Sequence, residues 1–140
     1  MVVIFDTNHF TEFVNGTKLG KRLMARVSEH EPDVFCCIVA AEESLKGWLA
    51  LIHSRKNGGE QVEAYTQLLG CIVALNKFTI LPFDREAAAH FHLLEKQLPG
   101  IGRMDLKIAA IALSHDATLL SRNLRDFDQI PGLLVENWLD

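Results

Sequence analysis

A three-layer α/β/α domain around a mostly parallel central sheet of about five strands is the fold this sequence predicts. Three observations carry that reading. The chain opens on an uninterrupted apolar run, Val2-Val3-Ile4-Phe5, that leads straight into Asp6-Thr7-Asn8; a short run with no alternation marks a strand covered on both faces, as in a parallel sheet. Further runs of that kind alternate with segments of helical periodicity along the whole chain, the pattern of repeated βαβ units. At 140 residues, with 49% apolar and 23% charged residues, the chain has the size of one domain, residues 1–140, and enough apolar content to give it a core.

Taken in order, the strand over residues 2–5 is followed by a short predicted helix over 9–14, broken near Asn15-Gly16. A second helix is predicted over 18–31, with Leu19, Leu23 and Val27 on one stripe and Pro32 to end it. The second strand is read over 34–39, running directly into a helix from Ala40 to about His53. Asn57-Gly58-Gly59 breaks the chain. Helix is expected again over 60–76, with Val62, Tyr65, Leu68, Leu69 and Ile72 spaced to be buried. These two helices are expected to project as a hairpin, and any apolar residues left exposed along it would suit a partner. A third strand over 78–81 is closed by Pro82, and a helix over 84–98 starts at Asp84, a good N-cap. The helix over 105–115 is apolar on nearly every side and rich in alanine, so it packs closely against the sheet. The strand over 118–120, a helical turn through Asp126-Phe127 and a last, edge strand over 133–135 complete the series.

Composition excludes several classes of function. The formal charge of −4 gives no support to non-specific DNA packaging. Cys36, Cys37 and Cys71 form no CxxC pair and stand in apolar surroundings, as buried free thiols of a reducing compartment do. No zinc site is therefore expected. No basic segment precedes the first apolar run and no run reaches membrane-spanning length, so a cytoplasmic protein without membrane contact is expected. The six histidines show no HExxH or other ligand spacing and are read mainly as surface or core-edge residues. Gly100 and Gly102 are not followed by the rest of a dinucleotide fingerprint, and Ser121 has no nucleophile-elbow context.

The acids are the informative residues. Asp6 follows the first strand, Glu42 and Glu43 begin the helix after the second, Asp105 opens the most apolar helix, and Asp126 follows the fourth strand. Right-handed crossovers bring all of these to one edge of a parallel sheet, where the sites of open α/β domains collect. Each has an ordinary alternative. Asp6 and Asp105 can serve as caps or dipole partners, the glutamates as first-turn acids, and Asp126 as a partner of Arg122 or Arg125. Together they suggest a carboxylate cluster that a hard cation, magnesium or manganese, would hold. In a nucleic-acid context such a cluster implies phosphodiester hydrolysis. Thr7 and Asn8 are placed to cap the first helix and brace Asp6, and Lys46, Arg103, Lys107, Arg122 and Arg125 to contact phosphates, although solvated helix surface accounts for any one of those cations.

Four stretches, in order, resemble the motifs of the PIN-domain ribonucleases, specifically the toxins of VapBC-type toxin–antitoxin pairs. They are Val3–Asn8, Ala41–Gly47, Gly102–Ala112, and Leu120–Leu133 with Asn137-Trp138. The resemblance implies a PIN-like fold and a magnesium- or manganese-dependent endoribonuclease, with Asp6, Glu43 and Asp105 as metal ligands. Asp126 would be a fourth catalytic acid, and Ser121 and Asn123 would support the site. The spacing of Glu43 to Gly47 selects Glu43 over Glu42. Many relatives carry an acid where this chain has Asn123, which leaves two roles open: Asn123 as a ligand through its amide oxygen or a water, and Asp126 as a ligand or a brace. Ser121 stands where threonine is common. The resemblance further implies a homodimer, a small DNA-binding antitoxin, and an RNA substrate, commonly transfer or ribosomal RNA. Close relatives with this terminal signature are associated with initiator transfer RNA, which the resemblance extends to this chain as an expectation. Trp48, Leu49, Leu51, Tyr65 and Leu69 are read as antitoxin-groove, dimer-contact or core residues. The alternatives are a PIN nuclease of RNA processing without an antitoxin and an inactive PIN-like binding protein. A response-regulator or phosphatase domain lacks its paired acid and its late lysine here.

Overall fold

The structure, a computed structural model, describes all 140 residues. Five strands form one sheet in the order β3-β2-β1-β4-β5, and every pairing is parallel. The strands are β1 (Val2–Phe5), β2 (Asp33–Cys37), β3 (Thr79–Leu81), β4 (Thr118–Leu120) and β5 (Leu134–Glu136). Seven helices connect and cover them: α1 (Thr7–Asn15), α2 (Lys18–His30), α3 (Ile38–Ser54), α4 (Gly58–Leu75), α5 (Arg85–Gln97), α6 (Arg103–Ser114) and α7 (Leu124–Phe127). No helix is long and apolar enough to cross a membrane.

The strand order explains where a site can form. The chain moves outward from β1 through β2 to β3, then returns across the sheet to β4 on the other side of β1. Right-handed connections therefore place α1–α4 on one face and α5 and α6 on the other. The direction reverses between β1 and β4, and the crevice beyond their carboxyl ends is the place such sheets offer to a ligand. Val3, Ile4, Phe5, Leu119 and Leu120 are wholly buried, as two covered faces require. Phe5 also meets Phe13 and Phe78 at centroid distances of 5.3 and 5.9 Å, an aromatic cluster that seats α1 on β1.

The edges of several elements differ from the sequence expectation for local reasons. Helix α3 starts at Ile38, straight out of the strand, because Ile38-Val39 is apolar in a way that strand and buried helix share. Glu42 and Glu43 consequently lie in its second turn rather than at its start. Gly58 and Gly59 are the first turn of α4 instead of a loop. Asn57 caps them by accepting a bond from Glu60 N at 3.0 Å, so the break sits one residue earlier. Arg103 and Met104 precede Asp105 in α6, which has Gly102 as its N-cap. Asp84 caps α5 as its identity predicts, accepting from Ala87 N at 3.0 Å.

The expected burial of α4 is corrected. Val62, Tyr65, Leu69 and Ile72 are exposed, and only Leu68 of that set is half-buried. The buried stripe is Ala64, Cys71, Ala74 and Leu75. The helix belongs to a hairpin with α3 and has a single inner face; smaller side chains on that face let the two helices approach closely.

Candidate active site

The backbone of Asp6 donates to Leu120 O at 3.1 Å, which ties the exit of β1 to β4 at the reversal point. Its side chain is the N-cap of α1. One carboxylate oxygen, Oδ1, accepts from His9 N at 2.9 Å and lies 3.1 Å from His9 Nδ1. The other, Oδ2, takes no hydrogen bond. Ser44 Oγ is the one buried side-chain nitrogen or oxygen left without a partner, so Asp6 Oδ2 is the side of the carboxylate that reaches solvent. Asp6 as a residue is 7% exposed.

Glu43 approaches from α3. It is half-buried and accepts a hydrogen bond from Thr7 Oγ1 at 2.9 Å, whereas Glu42 points to solvent. Thr7 therefore braces Glu43 and not Asp6, because Asp6 itself occupies the cap position and directs Thr7 across to α3. Asn8 is exposed on the first turn of α1 and takes no part in capping.

Asp105 approaches from the first turn of α6 and Asp126 from α7. Asn123 joins them: its Nδ2 donates to Asp105 Oδ2 at 3.2 Å and to Asp126 Oδ2 at 3.0 Å. Its amide nitrogen thus faces the acids and acts as a donor between two carboxylates. Asn123 is itself fixed by its backbone N–H, which donates to Ser121 Oγ at 3.0 Å, and Ser121 is fully buried behind it.

Four acids from four segments are brought near one another in this way. Burial pushes the Asp105 carboxyl above the ordinary aspartate range, and the charge of Glu43 adds to the rise. The Asn123 hydrogen bond works against it, while Asp126 and Asp6 push it further up. No lysine or arginine pairs with any of the four; the only charged-type partner among them is His9 at Asp6. The acids feel one another, yet no three of them close on a common point as a ready-made cage.

The basic residues lie around this centre with different engagements. Arg122 makes a bidentate pair with Asp140 at 3.0 and 2.9 Å. Arg103 is extended over Phe91 with Glu95 at 3.4 Å. Lys107 lies over Phe83 and Phe91, 5.9 and 5.6 Å from the ring centres. Lys46 and Arg125 are exposed and have no acidic partner.

A groove of about 900 Å³ runs between α1 and the α3–α4 hairpin, with Thr7 and Glu43 among its lining residues. Its apolar wall includes Phe10, Phe13, Trp48, Leu51 and Phe78. Leu49, Tyr65 and Leu69 lie outside it.

One residue at the centre escaped the sequence reading. The histidines as a set are expected mainly at the surface or core edge, but His9 is completely buried between Asp6 and the backbone of Trp138. Its position three residues after Asp6, on the same helix face as the cap, was the available signal.

Comparison with known proteins agrees with the architecture. Ribonuclease VapC2 of Haemophilus influenzae is 39% identical over 69 residues, 46% of this chain and 52% of the relative. The tRNA(fMet)-specific endonuclease VapC of Salmonella typhimurium is 31% identical over 68 residues, with 46% and 52% coverage. The chain thus spans about half the length of the curated relatives it matches. Among solved structures, DNA-bound VapBC from Salmonella typhimurium superposes with a TM-score of 0.76 at 20% identity, covering 99% of this chain and 98% of that one. VapBC2 from Rickettsia felis bound to a promoter DNA fragment gives 0.75 at 22% identity and 99% coverage of both chains. These likenesses share the fold. The PIN domain family model matches residues 3–133, and with nearly all of its length accounted for, the chain belongs to the PIN-domain family.

Proposed function

We propose that this chain is a magnesium- or manganese-dependent endoribonuclease and the toxin of a toxin–antitoxin pair, with residues 1–140 acting as one PIN domain. The observation that carries the reading is the group of acids at the β1/β4 reversal point, with Asp105 and Asp126 bridged by Asn123 and none of the four paired by a lysine or arginine. Like charges gathered without a counter-charge are costly unless a cation joins them. The donors fit a hard divalent ion, since all are carboxylate oxygens. Magnesium commonly keeps several waters and takes one or two carboxylates directly, so the remaining acids can act through its waters. Asp6, Glu43 and Asp105 are the residues that would hold it. Bound there, the ion would lower the pKa of a water and offset the charge that builds on phosphorus.

The chain's own residues have distinct tasks in this reading. Asp6 offers Oδ2 to the site while Oδ1 is engaged on His9. Glu43, steadied by Thr7, is a ligand or orients the attacking water. Asn123 keeps the Asp105 and Asp126 carboxylates side by side without contributing a further negative charge. Asp126 is a fourth catalytic acid held in that pair, and Ser121 sets the Asn123 backbone. Arg103, Lys107 and Arg125 hold the RNA backbone; Arg122 joins them only by leaving Asp140. The antitoxin occupies the groove between α1 and the α3–α4 hairpin, which leads to Glu43. The exposed apolar face of α4 serves the homodimer. The DNA-bound VapBC complexes similar to this chain support an antitoxin partner.

The test is cleavage of total RNA with magnesium, with and without chelator, by the wild type and by Asp6→Ala and Asp105→Ala. Cleavage that stops on chelation and in both variants, with their circular dichroism unchanged, is the expected result. Unaltered cleavage by Asp6→Ala would overturn the site.

A further inference from the structure

The His9 side chain is wholly buried and both of its ring nitrogens are engaged. The backbone N–H of Trp138 points at Nε2 from 3.2 Å. A backbone amide nitrogen can only donate, so Nε2 must accept and carries no proton. The ring proton therefore sits on Nδ1, facing Asp6 Oδ1 at 3.1 Å. The same oxygen already accepts from His9 N at 2.9 Å. Two donors from one residue thus grip one carboxylate oxygen and leave Oδ2 as the solvent-facing one.

The far end of this relay is anchored just as firmly. Trp138 is 4% exposed and Leu139 fully buried. Two arginines of α2 hold the same segment by its carbonyls: Arg26 reaches Asn137 O at 3.0 Å and Arg22 reaches Leu139 O at 3.4 Å. Asn137 Oδ1 accepts from Leu139 N at 3.0 Å, and Ser121 N donates to Glu136 O at 2.9 Å. A segment some 130 residues away along the chain is thereby fastened to the ring that faces Asp6.

We propose that His9 is a positioning residue for Asp6: pinned by the Trp138 backbone, its Nδ1–H fixes the Asp6 carboxylate so that Oδ2 is presented to a divalent cation. This inference rests on the metal-dependent reading above and adds a residue to it; the Trp138 bond serves to set which ring nitrogen carries the proton, a choice an asparagine amide does not have. A neighbour that orients a ligating carboxylate typically changes metal affinity about 10–100-fold when replaced. Two substitutions separate the two ends of the relay. His9→Asn keeps an N–H donor close to the Nδ1 position and loses the reach to Trp138. His9→Gln can still accept from Trp138 N but offers nothing to Asp6 Oδ1.

The experiment measures Mn2+ binding to the purified chain by electron paramagnetic resonance of the free ion. The wild type should bind, Asp6→Asn should not, His9→Gln should bind about tenfold more weakly, and His9→Asn should stay within about threefold of wild type. His9→Gln binding as the wild type does, or the two His9 variants weakening alike, overturns the positioning role and leaves the metal reading intact. A wild type that binds no Mn2+ overturns the metal reading and this inference with it. Because buried substitutions can prevent folding, the wild type is also read directly. Its long-range proton–nitrogen NMR spectrum should show the His9 proton on Nδ1, and a proton on Nε2 overturns the relay whatever the variants do.

Discussion

Asn123→Asp turns the link between two carboxylates into a third carboxylate, and its effect can be worked from two distances. In the wild type, Nδ2 donates to Asp105 at 3.2 Å and to Asp126 at 3.0 Å. A hydrogen bond to a charged group contributes about 1.5–3 kcal/mol, with the lower end fitting half-buried partners. The variant loses both bonds and adds two repulsions. At ~4 Å between charges a repulsion lies between about 1 kcal/mol in water and about 4 kcal/mol near a protein surface. Solvent screening and protonation of one acid hold the total near ~3 kcal/mol for the metal-free protein. At about 3 °C per kcal/mol for a domain of this size, the melting temperature should fall by ~10 °C. A cation shared by the new acid opposes this: at 100 times its dissociation constant a ligand stabilises by about 2.7 kcal/mol. Thermal melts in chelator, then in saturating magnesium, follow both effects. The variant should be markedly less stable in chelator, and magnesium should narrow the gap only as far as the new carboxylate binds the ion more tightly than the wild-type site does. A melting temperature unchanged in chelator at neutral pH would refute the claim that Asn123 holds the two acids together.

Asp105 gives a pH dependence of defined sign. Its carboxyl is raised in the folded protein, chiefly by burial and then by Glu43. The folded state therefore takes up a proton at higher pH than the unfolded chain. Metal-free stability should rise as pH falls through the raised value and level off below the ordinary aspartate value. Asp105→Asn should melt higher than wild type at neutral pH in chelator, with the gap closing in acid; a gap that widens in acid contradicts the assignment. Gly20→Ala should destabilise, although alanine favours helix by about 1 kcal/mol. A Cβ at Gly20 would lie 1.9 Å from the backbone oxygen of Glu12, so α1 and α2 must separate, at a net loss of about 2 kcal/mol in denaturant unfolding. Equal or greater stability would mean that this helix contact yields freely. Burial pushes the Cys36 thiol up to about 12 and Cys37 up to about 11. A thiol-specific reagent should leave both untouched in the native protein and label them only in denaturant; rapid native labelling of either would contradict their burial.

Much of the site was legible in residue types alone. Apolar runs interrupted by Asp6 and by Ser121-Arg122-Asn123 fixed which strands end in polar groups, and one rule of handedness placed those ends at one edge. Glu43 was separable from Glu42 only through the resemblance to a family spacing; in the structure the two differ because consecutive helix positions point about 100° apart. Side-chain direction was not legible. Thr7 reaches Glu43 because the cap position was already filled by Asp6, and Asn123 turns its nitrogen to the acids because two carboxylates face it.

By itself the sequence determined the parallel α/β architecture, the edge of the sheet that bears the acids, and the apolar content of the α3–α4 hairpin. These depend on local periodicity and on chain handedness, both of which a linear pattern contains. Tertiary structure alone decided which face of α4 is buried, where Arg122 goes, and that His9 joins Asp6 to the backbone of Trp138. Each of those is a tertiary contact whose outcome depends on which partner the packed fold leaves within reach.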